Sequence, residues 1–353
     1  MTDVRLAMTG FGNVGKGVAE LLRDQTDDYA ARYGVRLILS AVADRNSAAV
    51  NADGLDPAVL LRTKAETGSV GGESGLREGI SRHELLRRSG AHVFIEAATT
   101  NFDDAEPGWS TIRAALSQNM DVVLASKGAL VLYYTRLMNE ARSRGRLVRY
   151  SATVGAPLPV LDMFERTLVG ARITGFEGIL NSTSNEILGA MADGSSYEEG
   201  VRLAQQLGIA ETDPTLDVDG WDAAAKAAIL ANTAFGTSLG IGNVERKGIR
   251  TIQADQLMTA AGEGATIKLI SSAFRDGDQV TAVVRPQARP LSDPLGRLKG
   301  GELGIVIHAE PIGHVTSTVE NTSGVSGGTL TAMTVLRDVL NLARERGRSS
   351  SAG

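Results

Sequence analysis

Six residues near the start of the chain, Gly10-Phe11-Gly12-Asn13-Val14-Gly15, constrain the fold more than any other stretch. They follow a short apolar run, Val4 to Thr9 (VRLAMT). They open a helical pattern, Val14 to about Arg23, with Val14, Val18, Leu21 and Leu22 on one face. A strand, then G-x-G-x-x-G, then a helix is the pattern of a phosphate-binding βα turn. Gly10 would make the tight turn, Gly12 would let the backbone approach a pyrophosphate, and Gly15 would allow close helix–strand packing. The helix N-terminus would face the anion. The expected cofactor-binding residues here are Gly10, Gly12, Asn13, Val14 and Gly15. A plain glycine-rich turn is the alternative.

The pattern continues in the same sense. Arg36 to Ala43, His92 to Ala97, Asp121 to Ala125 and Leu147 to Ala152 read as strands. Trp109 to Gln118 and Ala129 to Arg144 read as helices. Residues 46–79 are polar and glycine-rich, and read as a loop with a short helix. Short apolar strands alternating with helices predict parallel βαβ units. Beyond residue 150 the rhythm changes. Strands are expected at Ile173 to Leu180, Ile267 to Ala273, Gln279 to Arg285 and Glu302 to Glu310, and helices at Tyr197 to Leu207 and Trp221 to Phe235. This is an α+β segment. A last helix is expected from Leu330 to Arg344, and a disordered tail over Gly347 to Gly353.

Composition narrows the chemistry. With 353 residues, about two domains are expected. The chain has no cysteine, which excludes a thiolate nucleophile, a Cys-ligated zinc and an iron–sulfur cluster. Its four histidines, His83, His92, His308 and His314, show no metal-ligand spacing, so no metal site is expected. A net charge of −5 gives no case for nucleic acid or an anionic membrane as partner. No apolar run nears a membrane span and the start lacks the features of a signal peptide, so a soluble cytoplasmic protein is expected.

Three further clusters could carry chemistry. The second strand ends in Asp44-Arg45. An acidic residue there binds the ribose hydroxyls of NAD, whereas an adjacent arginine can hold the extra phosphate of NADP. The two point in opposite directions; the reading leans slightly to NAD and accepts either. Residues 211–226, ETDPTLDVDGWDAAAK, hold Glu211, Asp213, Asp217, Asp219 and Asp222 ahead of Lys226. Asp222 and Lys226 lie at i, i+4 and share a helical face. The bland reading is an acidic solvated loop with one surface ion pair. The functional reading is a pocket of carboxylates that grips an ammonium group, with Asp222 holding Lys226 near a reacting oxygen. Finally, Ser126 and Lys127 sit at the carboxyl end of a parallel strand, where ligands bind in such sheets. Thr99, Thr100 and Asn101 follow the preceding strand and could line the same crevice, or simply cap a helix.

Taken together, these segments resemble the homoserine dehydrogenase family, especially its short archaeal-type members without a regulatory domain. The glycine motif, ATTNFDDAEPGWSTIRAAL (98–116) and ASKGALV (125–131) resemble the family's cofactor half. SATVGAPLPV (151–160), GILNSTSNEIL (178–188), residues 203–226 and RKGI (246–249) resemble its substrate half, and SGGTLTAMTVLRDV (326–339) its closing segment. The resemblance implies an N-terminal Rossmann dinucleotide-binding domain, 1–150, completed by a C-terminal helix at 326–345. It implies an α+β substrate-binding and dimerisation domain over 151–325. The implied reaction is the reversible NAD(P)-dependent oxidation of L-homoserine to L-aspartate 4-semialdehyde, a step of threonine and methionine biosynthesis. Lys127 and Lys226 match lysines implicated in proton transfer and substrate binding. Glu211, Asp217 and Asp222 match acidic residues near the amino group or the catalytic lysine, and Thr183 matches the threonine of an N-G-T segment. A homodimer is implied as well.

The chain departs from the family pattern at several points. Ser182 replaces a glycine and Glu186 an aromatic in the N-G-T-T-N-[YF] segment. Pro157 enters the VGAG segment, and Ser126 replaces an asparagine before Lys127. Val325-Ser326 replaces Gly-Ala in the closing segment. Ser151 stands where some members use a glutamate to help hold a monovalent cation, so that cation is not carried over. Two other readings stay open: a paralogous dehydrogenase for another small hydroxy or amino acid, motivated by Ser182, Glu186 and Pro157, and a non-catalytic NAD(P)-binding sensor.

Overall fold

The first strand, β1 (Thr2–Thr9), is buried along its second half and sits at the middle of a sheet. A computed structural model of the protein describes residues 1–71, 81–322 and 324–351. The chain divides into two compact units: residues 1–153 with 328–353, and residues 154–327.

In the first unit β1 is followed by α1 (Asn13–Tyr33), β2 (Val35–Ala43), β3 (Ala48–Val50), α2 (Pro57–Thr67) and α3 (Arg82–Ser89). Then come β4 (Val93–Glu96), α4 (Gly108–Ser117), β5 (Asp121–Leu124), α5 (Gly128–Ser143) and β6 (Val148–Arg149). The strand order is β3-β2-β1-β4-β5-β6. Neighbouring strands are parallel except β3, which runs antiparallel to β2. β4 and β5 are buried at every position, as expected of central strands covered on both faces.

Three local readings of the sequence need correction. Within residues 46–79 the expected short helix is Pro57–Thr67, of 11 residues, but Ala48–Val50 adds an edge strand where only loop was expected. Asp56 caps that helix through its bond from the Ala58 amide, and Pro57 sits at its start, where a missing N–H costs nothing. Residues 72–79 of that stretch lie outside the described residues. The strand expected over Leu147 to Ala152 shrinks to Val148–Arg149 and gives way to a 3₁₀ turn, Ser151–Thr153. The tail is also ordered further than expected, because the last helix, α10, runs from Gly327 to Ser351. Arg346 holds the Asp121 carboxylate at 2.5 and 2.9 Å, and Glu345 pairs with Arg149 at 2.8 Å, so its final turns are fastened to the first unit's sheet.

α10 completes the first core. Ala332, Val335, Leu336, Val339 and Leu340 join the cluster formed by β1, β2, β4 and α1. Gly17 of α1 makes room for this contact, since a Cβ there would lie 2.9 Å from the Ala332 methyl. Among the described residues no helix is long and apolar enough to cross a membrane.

The second unit contains β7 (Arg172–Ile179), α6 (Ser182–Ala192), α7 (Tyr197–Gln206), a one-turn helix (Thr215–Val218), α8 (Trp221–Phe235) and β8 (Glu245–Arg246). It continues through α9 (Ala254–Gly262), β9 (Ala265–Asp276), β10 (Gln279–Pro290), β11 (Leu303–Glu310) and β12 (Gly313–Val319). Its sheet has the order β12-β11-β7-β9-β10-β8, antiparallel apart from the short β10–β8 pair. α8 is apolar on nearly every face, with Ala223 to Ala225 and Ala227 to Ala231 buried, because it lies at the centre of this unit. Alanines there let helix and sheet approach closely. α7 starts at a capping box, Ser196 with Glu199.

Leu336 is 1% exposed within the α10 contact. Leu336→Ala is expected to destabilise the protein by about 2–5 kcal/mol, read as a lower urea midpoint by circular dichroism.

Candidate functional site

The carboxyl ends of β1, β2 and β4 border a cleft of about 560 Å³ in the first unit, lined by Gly10, Gly12, Lys16, Asp44, Glu96 and Thr100 among others. Gly10 has φ +92°, and a Cβ on it would lie 2.2 Å from the Ala97 carbonyl oxygen. A Cβ on Gly15 would lie 2.2 Å from the Gly10 carbonyl oxygen. Both positions are therefore closed to any side chain. Gly12 differs: nothing lies within 4 Å of its would-be Cβ, so the space above it is open. Gly12 is also the N-cap of α1 and offers no side-chain acceptor. The first-turn amides at Asn13, Val14 and Gly15 thus begin a helix of 21 residues without a side-chain cap. Nearby, the Thr9 hydroxyl is buried with no hydrogen-bond partner among the described residues. An open cradle, uncapped amides and an orphaned hydroxyl together fit the pyrophosphate of a dinucleotide.

Asp44 does not present a free carboxylate. It accepts from Lys64 Nζ (2.8 Å), from the Ser47 amide and hydroxyl (both 2.8 Å), and from the amides of Asn46 and Val70 (both 3.0 Å). Burial pushes the carboxyl up, but the bonds from Lys64, Ser47 and Asn46 outweigh it and hold it at about 2. Arg45 is exposed beside it.

At the opposite side of the cleft, two loops are cross-linked. Lys127, the N-cap of α5, donates its amide to the Thr100 hydroxyl at 3.2 Å. A Cβ on Gly128 would lie 2.3 Å from the Asn101 carbonyl oxygen. Asn101 itself shapes the turn that follows, donating to Asp104 at 2.8 Å and accepting from the Asp103 amide at 2.8 Å. Thr99 is exposed, and Ser126 is buried with its hydroxyl donating to Glu96.

In the second unit a carboxylate–lysine cluster forms where β7 passes into α6 and the one-turn helix into α8. Lys226 Nζ lies 2.6 Å from Asp222 Oδ2 and donates to the Leu180 carbonyl at 2.6 Å. Asn181 donates one amide group to both Asp217 (2.6 Å) and Asp222 (2.9 Å). The Asn181 side-chain oxygen, Oδ1, caps α6 by accepting from the Ser184 amide at 2.8 Å. Burial and the neighbouring Asp222 charge push the Asp217 carboxyl up, against the pull of Asn181, Lys226 and Thr183. The Thr183 hydroxyl also donates to the Ile209 carbonyl at 3.1 Å.

The acidic run therefore splits rather than forming one pocket. Asp217 and Asp222 converge on Asn181. Asp219 faces away and pairs with Arg250. Asp213 serves its own turn by accepting from the Thr215 amide at 3.0 Å. Glu211 is exposed, and its backbone carbonyl accepts from Gln205 at 3.2 Å. Gly220, at φ +79°, makes the bend that sends Asp219 and Asp222 in different directions. Glu186 lies one turn along α6 against the Gly300 loop, 3.0 Å from the would-be Cβ of Gly300, and burial raises its carboxyl.

Residues 10–151 match the family model "Homoserine dehydrogenase, NAD binding domain", and residues 159–340 match "Homoserine dehydrogenase". The chain belongs to the homoserine dehydrogenase family. Among its relatives is the NAD(+)-dependent homoserine dehydrogenase of Pseudomonas canavaninivorans, 34% identical over 97% of both chains. The homoserine dehydrogenase of Methanocaldococcus jannaschii is 35% identical, covering 82% of this chain and 85% of that one. A putative homoserine dehydrogenase structure from Archaeoglobus fulgidus superposes with a TM-score of 0.83 at 32% identity, covering 96% and 99% of the two chains.

Two contributors to this homoserine dehydrogenase site are hard to see in sequence. Asn181 holds both carboxylates, yet reads only as part of a polar segment. The RKGI stretch acts from behind: the Ile249 amide donates to the Val218 carbonyl at 2.8 Å, and Gly248 would carry a Cβ 2.2 Å from that oxygen. Arg246 stacks 3.7 Å above the Trp221 ring. These contacts fix the bend between Asp217 and Asp222. The glycine at 248 was a signal of close backbone approach, without showing what it approached.

The two cradle glycines are expected to behave differently on substitution. Gly10→Ala should cost about 1–3 kcal/mol of stability, since it combines a positive φ with a backbone clash. Gly12→Ala should leave stability within about 0.5 kcal/mol while weakening dinucleotide binding about tenfold or more. Thermal unfolding and fluorescence titration with a reduced dinucleotide separate the two effects.

Proposed function

We propose that this chain is itself a homoserine dehydrogenase, oxidising L-homoserine reversibly to L-aspartate 4-semialdehyde with NAD or NADP. The observation that carries this reading is the pairing of Lys226 with Asp222 and the Leu180 carbonyl, beside the shared Asn181–Asp217 bond. The cradle at Gly10 to Gly15 is proposed to hold the pyrophosphate, with Asn13 and Val14 supplying amides, and Thr99, Thr100, Ser126 and Lys127 lining the far end. When bound, the nicotinamide supplies the hydride acceptor and donor.

The chain's own residues then have two tasks. Oxidation breaks the hydroxyl O–H bond as hydride leaves the same carbon, so a base must take that proton. Lys226 is proposed for this step, after releasing one of its own protons. Asp222 fixes its position and stabilises the charged form that results. Asp217, with Asp222, is proposed to hold the substrate's ammonium group, and Thr183 to fix the Asp217 side. Glu211, exposed on its loop, is proposed to contact substrate, and Lys127 is proposed, on the family resemblance, to assist substrate binding or proton transfer. In the reverse direction Lys226 returns the proton to the aldehyde oxygen as hydride arrives.

Neither cofactor is excluded at the adenosine end. The Asp44 carboxylate already accepts five hydrogen bonds within the chain, and Arg45 is exposed beside it. Arg45 is proposed to meet the additional phosphate of NADP. Homodimerisation through the second unit is also proposed. The sheet face away from Phe235 and α8 exposes Phe274, whose ring occupies the space a side chain at Gly175 would fill.

Four measurements test these roles. Absorbance of the reduced nicotinamide should rise when protein is mixed with L-homoserine and a dinucleotide. Lys226→Ala should lower kcat by about 10²–10⁴-fold, and wild-type kcat in that variant would remove Lys226 from proton transfer. Arg45→Ala should raise KM for NADP about tenfold and leave KM for NAD unchanged; equal effects on both would refute the phosphate contact. Light scattering should give a dimer mass for the wild-type protein and a monomer for Phe274→Asp.

A further inference from the structure

Glu96 is the last residue of β4 and only 1% exposed, although it lies at the floor of the dinucleotide cleft. Buried carboxyl groups need partners, and this one finds them in two different loops. One oxygen accepts from the Ala98 amide at 3.1 Å, in the loop that carries Thr99 and Thr100. The other accepts from the hydroxyl of Ser126, in the loop that carries Lys127. Its backbone carbonyl adds a bond from the Ala125 amide at 2.8 Å. At the start of α4, a Cβ on Gly108 would lie 3.4 Å from the carboxyl. Thr9, its register partner on β1, carries the orphaned hydroxyl.

We propose that Glu96 is a positioning residue that clamps the Thr99–Thr100 loop to the Ser126–Lys127 loop, and so holds the cleft in the shape that accepts a nicotinamide dinucleotide. The cofactor part of this proposal rests on the functional reading above; the clamp itself does not. The side chain is chosen for reach: one planar carboxyl bridges an amide and a hydroxyl in separate loops, as neither a serine nor an aspartate at the same position would. Burial pushes the carboxyl up to about 7, against the pull of Ser126 and Ala98. Either protonation state keeps both bonds, since a protonated oxygen can donate to Ser126 while the other still accepts from Ala98. What changes is the charge beneath an anionic ligand. The remaining titratable groups lining the cleft are Lys16, Asp44, Arg45, Lys64, Arg82 and Glu106.

The test uses the full chain with Glu96→Gln, Glu96→Ala and Ser126→Ala. In the free protein, Glu96→Ala and Ser126→Ala should speed amide hydrogen exchange in both loops, 97–101 and 125–130, while Glu96→Gln stays near wild type. Fluorescence titration with NADH should show binding weakened about tenfold by Glu96→Ala and within about threefold of wild type for Glu96→Gln. Wild-type binding should weaken as pH rises through about 7, and Glu96→Gln should be flat, which isolates Glu96 from the other six groups. Wild-type stability should also fall relative to Glu96→Gln between about pH 5 and 8, because a raised carboxyl loses its contribution as it ionises. Unchanged exchange in Ser126→Ala and Glu96→Ala, or a pH dependence that persists in Glu96→Gln, would overturn the proposal. Should Glu96→Ala fail to fold, Ser126→Ala and Glu96→Gln still decide it. A wild-type protein that binds no dinucleotide would reject the functional reading, while the exchange data would still decide the clamp.

Discussion

The first unit depends on how closely its backbone can pack at the ends of β1 and β4. The Gly10 chain passes the Ala97 carbonyl at a distance no side chain tolerates, and Gly15 then passes Gly10 in the same way. These two contacts set where α1 starts, and with it the direction of its uncapped amides. The open space over Gly12 follows, because the chain has been pulled down on either side of it. A favourable electrostatic site at a helix N-terminus is thus a consequence of a packing constraint. Gly17 and Gly128 repeat the device, letting α10 and the Asn101 loop come close.

Charge burial is handled differently in the two units. In the first, Asp44 is saturated with donors from its own chain, and Glu96 keeps a proton close at hand through desolvation. In the second, Asp217 and Asp222 are placed side by side, which is unfavourable for two carboxylates unless something shares them. Asn181 shares its amide between them, and Lys226 compensates the pair. Two carboxylates around one cation leave the cluster with a negative surplus. A surplus of that sign suits an incoming ammonium group.

The legible parts of this sequence were those with strong periodicity or a fixed spacing. VRLAMTG followed by an amphipathic run gave β1, the turn and the start of α1, and WDAAAKAAILANTAF gave α8 to the residue. The i, i+4 placement of Asp222 and Lys226 was sufficient to foresee their contact. Other features were hidden for physical reasons. Ala48–Val50 is a three-residue edge strand, too short to show alternation. The GRSSS tail gives no apolar stripe, so its helix could not be expected; α10 is carried that far by Arg346 and Glu345 reaching partners distant in sequence. The acidic run offered five carboxylates with no means of telling which converge, since that depends on the positive φ at Gly220 and on the RKGI segment behind it. Glu96 reads in HVFIEA only as the polar end of a strand. Its two partners lie in different loops, and nothing local distinguishes it.

Lys268 shows why burial alone does not mark a reactive lysine. It is 3% exposed in β9, and burial lowers its ammonium to about 8. Yet its bonds go to neutral dipoles, the Asn185 side chain at 2.9 Å and the Leu298 carbonyl at 2.5 Å. Asn185 in turn donates to the carbonyls of Gly300 and Glu302. The lysine thereby fastens α6 and the 298–302 loop to the sheet, through neutral acceptors and no carboxylate. Lys226 is built on the opposite principle. It is bonded to one carboxylate, Asp222, and one carbonyl, that of Leu180. A lysine proposed to exchange a proton is served by a carboxylate that steadies its charge; a structural one is served by dipoles alone. The two lysines differ in that respect more than in depth.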